Sequence, residues 1–180
     1  ITRKMHSAWG LPQWTPAMPK SYKIRKSDQT PAMNNKVVYF PSCINQTMGL
    51  AKDSPVDQPL VKQMLSLLQK AGYEVIFPPK MEKLCCGTIW ESKGMLDIAD
   101  SKSTELEAAL WEASEQGRYP VLCDQSPCLH RMRATIQKIK LYEPAEFIYT
   151  FLRDKLEFTP TDRPIAIHIT CSMRKMGLAN

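Results

Sequence analysis

Cysteine recurs along the chain at a nearly constant interval. Cys85 lies 42 residues after Cys43, and Cys128 lies 42 residues after Cys86. Cys171 follows Cys128 after 43 residues. This interval is about the length of one strand and one helix with their loops, so it places each thiol at the same corner of successive units. Several Cys sulfurs that meet at one place are what iron–sulfur clusters and soft metal ions require.

Short apolar segments alternate with amphipathic ones from residue 37 onward. Four segments have the continuous apolar character of strands in a parallel sheet that is covered on both faces: residues 37–41, 74–78, 119–123 and 165–169. Apolar residues at helical spacing predict helices over residues 60–71, over about 94–116, from residue 126 onward, and over 145–156. This order predicts an α/β protein with layered βαβ units and a mainly parallel sheet.

Each predicted strand is followed by cysteine. Cys43 follows the first strand, Cys85 and Cys86 follow the second, Cys128 follows the third and Cys171 follows the fourth. In open α/β sheets the ligand site lies beyond the carboxyl ends of the strands. We therefore expect these thiols to lie together at one edge of the sheet.

The chain contains an internal repeat. Residues 37–50 read VVYFPSCINQTMGL, and residues 165–178 read IAIHITCSMRKMGL. Both copies place an apolar segment before Cys and follow that Cys, after four residues, with Met-Gly-Leu. The repeat predicts a first module over residues 37–163 and the start of a second, truncated module over 164–180, so we expect the chain to be part of a longer polypeptide.

The first 36 residues are predicted to be a basic linker that lies along a surface. They contain four prolines, Trp9 and Trp14, and only one acidic residue, Asp28. The remaining sequence carries equal numbers of acidic and basic residues, so the whole net charge of +6 resides in this segment. A solvated linker, or a strap on an acidic neighbouring domain, is favoured over contact with an anionic membrane face. Nucleic acid is not an expected partner, since no stacking platform or groove-reading motif accompanies the charge. The basic residues are Arg3, Lys4, Lys20, Lys23, Arg25, Lys26 and Lys36.

Cysteine usage and hydropathy predict a cytoplasmic protein. Six cysteines in an otherwise ordinary globular composition, with no signal peptide expected, favour a reducing compartment over a disulfide framework. No apolar run approaches the roughly 20 residues that a membrane-spanning helix needs. Any position on the cytoplasmic membrane face would be peripheral and would depend on partners.

The cysteine pattern resembles a known family. Cys43, Cys85-Cys86-Gly87 and Ser126-Pro127-Cys128 resemble the cysteine-rich CCG module, which occurs twice in heterodisulfide reductase and in the iron–sulfur subunit of glycolate oxidase. Residues 11–19, LPQWTPAMP, are similar to the linker before that module in large FAD- and iron–sulfur-containing D-lactate dehydrogenases. The resemblance covers essentially the whole chain.

The resemblance implies a set of ligands. Cys43, Cys85, Cys86 and Cys128 would hold an iron–sulfur cluster, and Cys171 would open a second site. The family pattern has a further Cys where this chain has Gln125. Cys123, two residues earlier, is either its replacement as a metal ligand or part of the core. Zinc is the alternative to the cluster. A solvated rim is the favoured interpretation of the basic residues that flank the thiol loops: Lys80, Lys83, Lys93, Arg131 and Arg133.

The function that the resemblance implies is electron transfer in an FAD-linked D-2-hydroxyacid dehydrogenase of the D-lactate type. Electrons would pass from flavin towards a quinone or a similar membrane acceptor. Substrate oxidation would take place in a domain absent from this sequence. The implied partners are FAD and ferredoxin-like domains of the same polypeptide, and the chain would not be catalytic alone. The alternative function is a docking module of the same kind of protein, without redox chemistry, whose thiols bind zinc or stay free.

Overall fold

A computed structural model of the chain describes residues 2–13, 15, 17–25, 28 and 30–178. Trp14, Pro16 and Lys26 of the predicted linker lie outside the described residues. The strands are β1 (Pro19–Ser21), β2 (Asn35–Phe40), β3 (Met48–Ala51), β4 (Tyr73–Ile76), β5 (Val121–Cys123) and β6 (Leu141–Tyr142). The α-helices are α1 (Thr2–Trp9), α2 (Cys43–Thr47), α3 (Leu60–Lys70), α4 (Thr88–Glu91), α5 (Leu96–Ala113), α6 (Ser126–Thr135), α7 (Pro144–Phe147) and α8 (Cys171–Lys175).

The central sheet has four strands in the order β4-β2-β5-β6, and all three strand pairs are parallel. Val37 lies opposite Val75, and Phe40 lies opposite Cys123. The connections between neighbouring strands contain helices, as parallel pairing requires. The predicted α/β class with a parallel sheet is confirmed.

Helices cover both faces of this sheet. Successive side chains of a strand point to opposite faces, and Val37 and Tyr39 of β2 accordingly pack in one cluster while Val38 and Phe40 pack in another. The first cluster is closed by α3 and by Phe147 and Leu152, and the second by α5 and α6. The first three predicted strands and the predicted helices are present, although the fourth helix is short. After α7 the chain continues through a π-helical turn (Ile148–Leu152) and a 3-10 turn (Arg153–Lys155).

The prediction of a strand over residues 165–169 is wrong. That segment forms no strand, and the side chains of Ile165 and Ile167 are 74% and 83% exposed. The sheet instead takes its fourth strand from β6, which follows α6 directly and pairs with β5. Pairing with β6 occupies the free edge of β5 through a short local connection, so the later segment has no place beside β5.

The repeat is nevertheless visible in local structure. Cys43 begins α2, and Ser42 caps that helix by accepting a hydrogen bond from the Asn45 amide. Cys171 begins α8, and Thr170 caps it in the same way through the Met173 amide. Both repeat copies therefore form a hydroxyl-capped helix that starts with cysteine.

Residues 19–24 of the amino-terminal segment pack against the rest of the chain. Its strand β1 pairs antiparallel with β3, and Tyr22 and Ile24 pack on the first core cluster. The Tyr22 amide also donates to the Thr47 carbonyl at 2.9 Å. Helix α1 was not expected from the proline content. It ends at Trp9, before Gly10 and Pro12. In the described part of the chain, no helix has the length and apolar character needed to cross a membrane.

Candidate functional site

The carboxyl ends of β2 and β5 are joined through Asp124. The Tyr39 hydroxyl donates to Asp124 Oδ2 at 2.7 Å, and the Ser42 amide donates to Asp124 Oδ1 at 2.8 Å. Burial, together with the Asp124 carboxylate, raises the pKa of the Tyr39 hydroxyl, which stays protonated as a donor. Asp124 thus fixes the loop that leads to Cys43 beside the loop that leads to Cys128.

Three thiols come together on the next part of this edge. Cys86 lies close enough to both Cys85 and Cys128 for the thiols to interact, and Cys86 and Cys128 pack in the same core cluster. Cys86 is only 6% exposed, and its thiol also donates to the Thr88 hydroxyl at 3.2 Å. Cys85 and Cys128 are half-buried. The loop after β4 and the first turn of α6 therefore bring thiols that are about 42 residues apart in sequence into contact.

The surroundings of Cys85 and Cys86 favour their protonated thiols. The hydrogen bond with Cys86, followed by burial, raises the pKa of Cys85. The hydrogen bond with Cys128 is the largest cause that raises the pKa of Cys86. Metals bind thiolate, so a metal that binds here must displace these protons.

Gly87 allows the loop to lie close to α5. Its φ is +88°, and an added Cβ would lie 2.5 Å from the Ala99 carbonyl oxygen and 2.7 Å from Arg131 Nε. Side chains rarely tolerate either that backbone conformation or that approach. The glycine after the two cysteines is therefore required by the position of the loop against α5 and α6.

The Cys86 carbonyl is held by two side chains. Ser103 Oγ and Arg131 Nε each donate to it at 3.1 Å. Arg131 also pairs with Glu91 at 2.6 Å and with Asp100 at 2.7 Å. The interpretation of Arg131 as part of a solvated rim is wrong, because its side chain is 5% exposed and its Nε donates to the Cys86 carbonyl. Lys80, Lys83 and Lys93 are exposed as expected.

The remaining predicted ligands are placed differently. Cys123 is fully buried in the second core cluster, and burial raises its pKa. Its environment is that of a core side chain. Cys43 and Cys171 are exposed. Cys43 lies beyond the end of β2, at the predicted edge, and α8, which Cys171 begins, packs on α6.

Sequence reasoning missed the groups that support the thiols. Asp124 and Ser103 are single polar residues with no periodic signal, and their partners are distant in sequence.

Among the described residues, no group of three or more His, Cys, Asp or Glu side chains is arranged to hold a metal ion. The Cys86 thiol, with Cys85 on one side and Cys128 on the other, is the feature of the fold that bears on function. Comparison with family models, with curated protein sequences and with solved structures gives no match to the chain.

Proposed function

We propose that the chain is an iron–sulfur-binding electron-transfer module of an FAD-linked D-2-hydroxyacid dehydrogenase of the D-lactate type. In this role it passes electrons from flavin towards a quinone or a similar acceptor, and it works on the cytoplasmic side of a membrane. The observation that carries the proposal is the proximity of the Cys86 thiol to the thiols of Cys85 and Cys128. The dehydrogenase context rests on the family resemblance of the sequence.

The donor chemistry of the site suits a polynuclear cluster. Iron–sulfur clusters are held by Cys thiolates, and the cluster of thiols contributes three. A cluster offers several irons, each of which takes its own thiolate, so the adjacent side chains of Cys85 and Cys86 can both bind.

The proposal assigns a role to each cysteine. Cys85, Cys86 and Cys128 are the proposed ligands, Cys43 is the proposed fourth, and Cys171 belongs to a second site. Cys123 is assigned to the core. A bound cluster would supply one-electron redox chemistry. The protein would contribute the thiolates. Burial would keep water away from Cys86, and Gly87 would allow the loop to lie close to α5.

Anaerobic reconstitution with iron and sulfide tests the proposal. We expect visible absorbance, stoichiometric iron and sulfide, and an EPR signal after reduction. Replacing Cys85 and Cys86 together with serine should abolish all three, while Cys123→Ala serves as the matched control and should keep them. Full cluster content in the Cys85→Ser, Cys86→Ser variant would refute the assignment.

The same preparation separates electron transfer from docking. Stoichiometric zinc without visible absorbance in anaerobically purified protein would support a zinc-binding docking module. For the proposed function, the reduced reconstituted protein must be reoxidised by a soluble quinone analogue. A cluster that is reduced but never reoxidised by the quinone would contradict the proposed direction of electron flow.

A further inference from the structure

We propose that Arg131 is the positioning residue of the thiol site, and that it sets the distance between Cys86 and Cys128. The inference rests on the proposed function, since it concerns the same three thiols. Arg131 acts on the backbone of the Cys-Cys-Gly loop, through the carbonyl group of Cys86.

A single helix supplies both a thiol and the group that holds the opposite loop. Cys128 and Arg131 lie three residues apart on α6, so they share one face of that helix. Arg131 Nε donates to the Cys86 carbonyl at 3.1 Å, and the side chains of Cys86 and Cys128 pack in the same core cluster. The rigid turn of α6 between these two residues therefore fixes where one thiol lies relative to the other.

The guanidinium is itself held from two sides. Glu91 of α4 pairs with Nη1 at 2.6 Å, and Asp100 of α5 pairs with Nη2 at 2.7 Å. Both carboxylates are substantially exposed, whereas Arg131 is 5% exposed. A planar guanidinium can satisfy a carbonyl and two carboxylates at once because its donors point in fixed directions, and a lysine ammonium cannot reproduce that fork.

Burying this cation is costly unless all its partners are in place. Arg131 joins α4, α5, α6 and the Cys-Cys-Gly loop through these partners. The neighbouring Arg133 shows the contrast. It also bonds a backbone carbonyl and a carboxylate, but these belong to Leu141 and Glu146, on β6 and α7. Arg133 is thus a matched arginine whose partners lie away from the thiol loops.

The test uses reconstituted protein challenged with EDTA. The readouts are the EDTA concentration that removes half of the iron and the EPR spectrum of the reduced cluster. We expect Arg131→Met to lose iron at a 10- to 100-fold lower EDTA concentration, the range typical for groups that orient metal ligands. Arg131→Lys should restore part of the retention and show a shifted EPR spectrum. Arg133→Met should match the wild-type protein in both readouts, even where its unfolding midpoint falls.

A second variant covers the case in which Arg131→Met does not fold. Ser103→Ala removes the other donor to the Cys86 carbonyl and leaves the arginine with its carboxylates. It should lower the EDTA concentration by a smaller factor and alter the EPR spectrum in the same direction as Arg131→Lys.

The outcomes separate the two proposals. Wild-type protein that takes up no cluster would overturn the proposed function, and the role of Arg131 would fall with it. Wild-type protein that holds a cluster, together with Arg131→Lys and Ser103→Ala variants that retain iron and EPR spectrum unchanged, would overturn the positioning role alone.

Discussion

Replacing Gly87 with alanine tests whether the Cys-Cys-Gly loop is held by close contact with α5 and α6. Two costs follow from the structure. A non-glycine residue at a φ of +88° is strained by about 1–2 kcal/mol. The new Cβ would also lie 2.5 Å from the Ala99 carbonyl oxygen, which belongs to helix backbone and cannot rotate away. Overpacking of this kind costs about 1–3 kcal/mol.

Together these costs predict a loss of about 2–5 kcal/mol in the free energy of unfolding. For a chain of this size, that corresponds to a fall in melting temperature of roughly 4–20 °C. Gly94→Ala is the matched control. Gly94 has a φ of +75° with no atom within 4 Å of an added Cβ, so only the backbone strain of about 1–2 kcal/mol applies there.

The assay is urea unfolding followed by circular dichroism, with both variants measured against the wild-type chain. The difference between the two variants isolates the close approach at Gly87 from the conformational strain that they share. Equal destabilisation by Gly87→Ala and Gly94→Ala would refute the contact with α5. The placement of Cys85 and Cys86 beside Cys128 would then lose its support.

Three further predictions concern the sheet edge and the thiols. Tyr39→Phe should lower the free energy of unfolding by about 1–3 kcal/mol, since Asp124 loses a buried donor. The exposed Tyr149→Phe should change it by less than about 0.5 kcal/mol, and equal effects in urea unfolding would argue against the Asp124 link. In native protein, iodoacetamide should label the exposed Cys43 and Cys171 first and the buried Cys86 and Cys123 last, as read by mass spectrometry; early labelling of Cys86 would contradict its burial. Ile167→Lys should change stability by less than about 0.5 kcal/mol, whereas Leu122→Ala should cost about 2–5 kcal/mol; a large loss for Ile167→Lys would mean that residues 165–169 are packed after all.

The features that the sequence predicted are those with a local cause. Both faces of the sheet are buried, so three of its strands are short runs of apolar residues that can be recognised in the sequence. The alternation with amphipathic helices then implies parallel pairing, which places the residues that follow each strand at one edge. The approach of Cys85 and Cys86 to Cys128 follows from these two steps.

The features that sequence reasoning missed depend on distant partners. β6 contains only two residues, too few to show a pattern, yet it takes the edge of β5. The segment from Ile165 to Ile169 has a strand-like pattern but pairs with no strand in the described chain. Arg131 lies between His130 and Met132 in sequence, and its burial depends on carboxylates from α4 and α5 that the fold brings to it.

Gly87 and Arg131 act on the loop as one unit, and this has a measurable consequence. An added Cβ at Gly87 would lie close both to the Ala99 carbonyl oxygen and to Arg131 Nε. A methionine at residue 131 removes the second obstacle and the hydrogen bond to the Cys86 carbonyl, so the loop can shift away from α5. Gly87→Ala should therefore cost less in the Arg131→Met background, with a coupling of about 0.5–3 kcal/mol in a double-mutant cycle of urea unfolding. Additive effects would mean that Arg131 does not restrain the loop at the position of Gly87.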